Sequence, residues 1–369
     1  MRVALISGST YACPPRGYGS EVTTWYLARE LGALGHEVHL FAPGGSAPPD
    51  GIRLHSIRGS YGGIRLEAED DPWQWYGGLL RSCDVVHDLS PSCLTCERAW
   101  LHWPDAPILF TRNGIDFGNP RVPSPARRGV VLSQAARDAA LSGTSAWADT
   151  PYEADYPEYP GELRDARVVH YGTDLDWYGP GEGRPDGFLL YVGRPHPAKG
   201  VGRLIEAARA MPGQAFVLAW RPAAPDHVEW DLRYREQARG LRNVHFVDLP
   251  ELGHQEAKRD LYRRARALVT LPVYTEAFGL TTIEALACGC PVIATERGAA
   301  PEIIRPGLTG CLVPPEEDDV EAVAAAVRTL DDIPRYACRA DAQARWGAAR
   351  MAEDYVRLYE EVAAGGTWG

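Results

Sequence analysis

A chain of 369 residues, 45% hydrophobic and 24% charged, has the composition of a soluble globular protein and the length for two domains of ordinary size, each burying its own core. Its net charge of −11 speaks against nucleic acid or an anionic membrane surface as the main partner, because both reward basic patches. The apolar run at the N-terminus, Val3 to Ile6, is too short for a signal peptide, and no stretch approaches membrane-spanning length, so a cytoplasmic location is expected.

The first residues, Met1 to Ser7, read as a buried strand, followed by a Pro/Gly-rich loop from Tyr11 to Ser20. Glu21 to Leu34 carries apolar residues at helical spacing and stops at Gly35, and Glu37 to Phe41 is a second strand. Strand, glycine loop, helix and strand make a Rossmann-like opening. A dinucleotide site is the rival reading of that loop, but the glycines at 17 and 19 lack a third at the Gly-x-Gly-x-x-Gly position, which Val22 occupies.

Asp84 to Leu89 is a further strand, with His87 and Asp88 where the apolar run stops; strand ends of this kind line the crevice of an open α/β sheet, although a hydrogen-bonded packing role for His87 is an equal expectation. Pro107 to Gly114 is the next strand and turn, ending in Asn113-Gly114, and Val130 to Ser133 and Ala166 to His170 are the last strands of this half. The basic pair Arg127-Arg128 reads as a solvated loop end, and the aromatic, acidic segment 143–163 as an irregular packed insertion or an acceptor-facing loop. Eight cysteines follow no disulfide framework, and Cys93-x-x-Cys96 has no second pair to complete a zinc site, so reduced, mostly buried thiols are expected.

Tyr171 to Gly187, rich in Gly, Pro and Asp, reads as an interdomain linker. Phe188 to Gly193 is a strand that runs into Arg194 and closes on Lys199-Gly200 before a helix around Leu204 to Ala210. Only two of the 38 basic residues are lysines, Lys199 and Lys258. A lysine at 199 is therefore informative, since a compact ammonium suits a crowded phosphate where a planar guanidinium does not fit. Further strands are expected at Phe216 to Ala219, Val244 to Val247, Pro291 to Ala294 and within 307–313, and amphipathic helices at Val320 to Leu330 and Trp346 to Val362.

Between them lies the most informative stretch. Ala267 to Pro272 is a buried strand, Glu276 to Gly279 a loop, and Leu280, Ile283, Leu286 and Ala287 give a helix its apolar spacing. Gly279 lets the backbone approach a ligand and the helix start offers unpaired N–H groups, which together suit a phosphate. Glu276 in the loop and Glu284 on the helix can then hold neighbouring parts of one ligand.

Glu276 to Glu284 resembles the Glu-x7-Glu signature of glycosyltransferase family 4, the retaining GT-B enzymes that use nucleotide sugars. Val192 to Val201 resembles that family's Gly-Arg…Lys-Gly diphosphate loop, and Gly17 to Glu21 its N-terminal glycine-rich loop. The resemblance implies an α/β fold of GT-B type, two Rossmann-like domains facing each other across a cleft. Residues 1–170 would form the acceptor domain, 171–187 the linker and 188–345 the donor domain, with 346–369 a helix crossing back onto the N-terminal domain. It implies transfer of a sugar from a nucleoside diphosphate, UDP first among the bases, to an acceptor hydroxyl with retention of configuration; the low basic charge points to a small soluble acceptor, and Arg194 with Lys199 can offset the diphosphate charge without a metal or other cofactor. Glu276, Arg194 and Lys199 would carry the reaction. Gly17, Tyr18, Gly19, Gly193, Phe278, Gly279, Leu280, Thr281 and Glu284 would complete the nucleotide-sugar site with Arg194 and Lys199, Glu284 accepting bonds from the ribose. His87 and Asn113 are candidate acceptor or sugar contacts; Asn113-Gly114 stands where many relatives carry His-Gly, so that histidine's role beside the donor sugar does not carry over directly. A GT-B phosphorylase, a nucleotide-sugar epimerase and a catalytically silent binder share the fold and stand as alternatives.

Overall fold

The computed structural model describes residues 1–8, 12–13, 19–57, 72–90, 93, 95–96, 99, 103, 105–114, 128–146, 150, 165–221, 225–250, 254–315, 320–366 and 368. Two compact units emerge: of the described residues, one holds those within 1–146, 165–172 and 348–368, the other 150 and those within 173–347.

The first unit is built on β1 (Arg2–Ile6), β2 (Glu37–Pro43), β3 (Arg53–Ile57), β4 (Val85–Asp88), β5 (Ile108–Thr111), β6 (Gly129–Val131) and β7 (Ala166–Val168). Among the described residues these seven strands make one parallel sheet in the order β3-β2-β1-β4-β5-β6-β7. Helices α1 (Gly19–Ala33), α2 (Pro72–Arg81) and α3 (Gln134–Ser142) follow in the chain. Val3, Ala4, Leu5, Val85, Val86, Ile108 and Leu109 are buried, as expected of strands covered on both faces by crossover helices.

The second unit repeats the plan with β8 (Leu189–Val192), α4 (Val201–Ala210), β9 (Phe216–Trp220), α5 (Pro225–Gln237), β10 (Val244–Asp248), α6 (His254–Arg264), β11 (Ala267–Thr270), α7 (Leu280–Ala287), β12 (Val292–Thr295), α8 (Ala300–Ile303), β13 (Gly310–Val313), α9 (Val320–Thr329) and α10 (Arg335–Arg345). Among the described residues its six strands are parallel in the order β10-β9-β8-β11-β12-β13. The order reverses between β8 and β11, so the loops after these two strands open side by side at the topological switch point, where open α/β sheets bind ligands.

The last helix, α11 (Ala348–Ala363), buries Met351, Ala352, Tyr355, Leu358, Tyr359 and Val362, the stripe legible in the sequence, and belongs to the first unit. Arg350 donates to the carbonyls of His170 and Tyr171 at 2.9 Å. Tyr359 lies 2.7 Å from His87 Nδ1, Thr111 is 2.7 Å from His87 Nε2, and Tyr355 is 2.9 Å from Thr111. His87 is thus wholly buried with both ring nitrogens occupied, and burial lowers its pKa to about 3, which keeps it neutral. Its place is a tie between sheet and terminal helix, the packing role that stood open in the sequence. Tyr359→Phe leaves one nitrogen of that buried ring unpartnered and is expected to cost about 1–3 kcal/mol, read as a lower urea midpoint.

Arg128 differs from the sequence expectation. It is buried, donating to Ala106 O at 2.9 Å and to Gly366 O at 2.8 Å, so the loop end it occupies is packed rather than solvated. Cys93 and Cys96 are buried thiols, and they point to the Ser90 and Leu109 carbonyls at 3.6 and 3.7 Å. Burial raises the Cys96 pKa well above that of an ordinary thiol, which makes it a poor nucleophile or metal ligand. No helix among the described residues is long and apolar enough to cross a membrane.

Candidate active site

Both loops at the switch point of the second sheet carry charge. After β8 the chain passes Gly193 and the exposed Arg194 into a single 3-10 turn, Pro197–Lys199, and then turns sharply at Gly200. Gly200 sits at φ 74°, and a Cβ there would lie 1.8 Å from the Leu271 carbonyl oxygen, so only glycine lets this loop press against the start of the neighbouring one. Val273 N–H donates to Ala198 O at 2.9 Å, which locks the two loops together, and Tyr191 donates to Arg194 O at 2.8 Å beneath them.

That contact brings Lys199 to Glu276. The ammonium is 2.6 Å from Glu276 Oε2, donates to the Tyr274 hydroxyl, and lies 4.9 Å from the Tyr274 ring centre. Burial pushes the Glu276 carboxyl up, but Lys199, Tyr274 and Arg194 together outweigh it and hold it below its ordinary value. Burial lowers Lys199, which Glu276 opposes and Arg194 reinforces. Tyr274 went unnoticed in the sequence; an aromatic two residues before the motif glutamate is the only signal it gave.

Glu276 is fixed from below as well. Its carbonyl accepts Ala299 N–H at 3.1 Å, and the chain passes so close that a Cβ on Gly298, at φ 59°, would fall 2.3 Å from Glu276 O and 2.7 Å from its N. Gly298→Ala must therefore displace the loop that carries the carboxylate. An approximately tenfold to hundredfold loss of kcat/KM, with the protein still folded, is the expected outcome in steady-state kinetics.

Gly279, at φ 101°, precedes α7, whose first residues Leu280 and Thr281 are half-exposed and receive no side-chain cap. Phe278 is buried edge-on against the Trp346 ring, 5.9 Å between centres, so its side chain anchors the loop and its backbone borders the helix start. Helix α7 buries every residue from Thr282 to Ala287, which makes it a core helix.

Glu284, on the second turn, is 5% exposed and engaged on both oxygens. Lys258 Nζ lies 3.0 Å from Oε1 and 2.9 Å from Oε2; Tyr262 donates to Oε2 at 2.9 Å and Tyr178 to Oε1 at 3.2 Å. Gln255, Lys258 and Tyr262 share one face of α6, and Arg339 holds the Tyr178 turn by donating to Tyr178 O at 2.8 Å and Ala287 O at 2.9 Å. The two lysines of the chain thus pair one to each motif glutamate.

Of the other sequence candidates, Gly17 and Tyr18 lie outside the described residues, as do most of 143–163, and Gly19 is the exposed first residue of α1. Asn113, in the first unit, donates to Leu89 O at 2.7 Å and accepts from the Tyr171 hydroxyl. An Asp-x-Asp triplet, Asp174-Leu-Asp176, forms a turn in which Asp174 accepts the N–H groups of Asp176 and Trp177 at 3.0 Å. Among the described residues no three His, Cys, Asp or Glu side chains converge as metal ligands.

A family model described as Glycosyltransferase Family 4 matches residues 18–149, within the first unit's span, and one described as Glycosyl transferases group 1 matches residues 187–332, within the second's. The chain belongs to the family 4 glycosyltransferases of GT-B fold. The chain is similar to D-inositol 3-phosphate glycosyltransferases of Mycobacterium tuberculosis and Mycobacterium bovis, 35% identical over 161 residues, which is 40% of this chain. The chain's match spans about a third, 32%, of the length of these relatives.

Solved structures of the fold align over nearly the whole chain. AviGT4, a glycosyltransferase involved in avilamycin A biosynthesis, is 25% identical with a TM-score of 0.72, covering 100% of this chain and 99% of its own. Sucrose-phosphate synthase from Thermosynechococcus elongatus is 20% identical with a TM-score of 0.71, covering 99% and 100%. Anabaena Alr3699/HepE, solved with UDP-glucose, is 15% identical with a TM-score of 0.70, covering 98% and 100%. The last two likenesses are to the fold.

Proposed function

We propose that the protein is a retaining, metal-independent glycosyltransferase that moves a sugar from a nucleoside diphosphate, UDP the first candidate, to a hydroxyl of a small soluble acceptor. The observation that carries this reading is the Lys199–Glu276 pair, 2.6 Å apart where the loops after β8 and β11 meet. A sugar leaving a diphosphate needs negative charge stabilised on the leaving group and its own hydroxyls held beside that charge. Lys199 and Arg194 supply two cations for the diphosphate, in place of a metal, and the N–H groups at the start of α7 add a third source of positive potential. Glu276 accepts bonds from the sugar hydroxyls, and Glu284 accepts from the ribose.

Retention follows in this reading from attack on the face that the diphosphate leaves, the departing phosphate oxygen taking the acceptor proton. UDP is favoured by the fold neighbour that holds UDP-glucose, although a starch synthase of the same fold, solved with ADP and acarbose, argues for testing every base. The AviGT4 likeness favours a small acceptor from secondary metabolism.

Calorimetry with UDP, GDP, ADP, dTDP and NAD tests the reading. Selective binding of one nucleoside diphosphate, unaffected by EDTA and lost in Arg194→Ala, is the expected result. Binding of NAD alone, or of none of the five, contradicts it.

A further inference from the structure

The Glu284 carboxylate has about four lone-pair positions, and the chain's own donors already fill four. Lys258 takes one on each oxygen, Tyr262 a second on Oε2, and Tyr178 a second on Oε1. A hydroxyl arriving from outside can bond Glu284 only where one of these withdraws. The four are not equal. The Lys258 and Tyr262 side chains donate to no other acceptor among the described residues, and their distances of 2.9 to 3.0 Å are ordinary hydrogen-bond distances.

Tyr178 is different. Its contact with Oε1 is the longest of the four at 3.2 Å, and the same hydroxyl lies 2.6 Å from Gln255 Oε1. A phenol has one proton and cannot donate to both. Tyr178 therefore stands between two acceptors and can give up Glu284 at the cost of one weak bond while keeping the stronger.

We propose that Lys258 is a positioning residue that fixes Glu284 to read the ribose, and that Tyr178 occupies the Oε1 position a ribose hydroxyl takes over, passing its hydrogen bond wholly to Gln255 when the nucleoside diphosphate binds. This rests on the nucleotide-sugar reading of the site. Lys258 supplies the opposite charge beside a carboxylate only 5% exposed, and by bridging both oxygens it sets the plane in which the open position points.

The test compares UDP, GDP and ADP with their 2′-deoxy counterparts by calorimetry, in the unmodified protein and in Lys258→Met, Lys258→Arg and Tyr178→Phe, with circular dichroism to establish folding. The unmodified protein is expected to prefer the ribonucleotide by about tenfold or more, as a site built to bond a hydroxyl does. In Lys258→Met the ribonucleotide should weaken by about ten- to fiftyfold and the preference shrink to within about twofold, with Lys258→Arg recovering part of both. Tyr178→Phe removes the competitor for Oε1, and should keep the preference while binding the ribonucleotide about two- to fivefold more tightly. A folded Lys258→Met with its ribose preference intact, or a folded Tyr178→Phe that loses it, overturns the assignment. If Lys258→Met does not fold, Tyr178→Phe and Lys258→Arg decide it by the same preference. Failure of the unmodified protein to bind any nucleoside diphosphate overturns instead the nucleotide-sugar reading beneath it.

Discussion

Lys199→Met is expected to lower kcat/KM by about a hundred- to a thousandfold, the scale on which removing one preorganised charge from a leaving group is felt. The same substitution strips Glu276 of the strongest influence holding its pKa down. Burial then dominates and the carboxyl rises. A group whose folded pKa lies below its unfolded value contributes stability above the unfolded pKa, 4.5 for an ordinary glutamate, and loses it as the pH falls through the folded value. In the unmodified protein Glu276 thus stays ionised, and stabilising, down into the acid range below that value; in Lys199→Met the loss begins at higher pH. Residual activity should show the same displacement, its acid limb moved upward. A pH profile of kcat/KM together with acid-unfolding curves checks both, and equal acid limbs in the two proteins would show that the pair is not coupled as its geometry requires.

The reciprocal change, Glu276→Gln, keeps the shape and removes the charge. An approximately hundredfold or greater fall in kcat is expected, because sugar hydroxyls lose a charged acceptor where the reaction occurs. Burial and Arg194 already press the Lys199 pKa downward, and Glu276 is the group that opposes them. With the carboxylate gone Lys199 loses its proton at lower pH, so the basic limb of donor binding moves toward neutrality. The two variants therefore shift opposite limbs of the pH profile, a pattern that a general loss of stability does not produce. Donor affinity measured from pH 6 to 10 separates the two explanations.

The loops were legible because their chemistry is local. Gly193-Arg194, Lys199-Gly200 and Glu276 to Glu284 announce themselves by residue types that strands and helices do not need, and the strands before them are mostly apolar and buried. Helices α5 and α6 escaped because their sequences, Pro-Asp-His-Val-Glu-Trp-Asp-Leu-Arg-Tyr-Arg-Glu-Gln and His-Gln-Glu-Ala-Lys-Arg-Asp-Leu-Tyr-Arg-Arg, are too polar for apolar periodicity to stand out. β3, Arg53–Ile57, is an edge strand of mixed character for the same reason.

What surrounds Glu284 was out of reach for a different reason. Tyr178 is 106 residues away in the chain and Lys258 is 26, so nothing local pairs them with the motif; only the fold does. The rarity of lysine was the one clue. Applied to Lys199 alone it marked half of the pattern, since Lys258 is the other lysine and meets the other glutamate. His87 shows the converse: a histidine at a strand end reads as a crevice residue, and what decides its role is the tyrosine 272 residues later that packs over it.

The most direct measurement is a product analysis. The purified protein is incubated with UDP-, GDP-, ADP- and dTDP-sugars, with and without a panel of small hydroxylated acceptors, and the nucleotide and sugar products are resolved by mass spectrometry and NMR. Release of one free nucleoside diphosphate with the sugar joined to an acceptor in its original anomeric configuration, abolished in Lys199→Met, is the expected result. A sugar 1-phosphate formed with inorganic phosphate, an isomerised nucleotide sugar, an inverted product, or no turnover with any donor would contradict it.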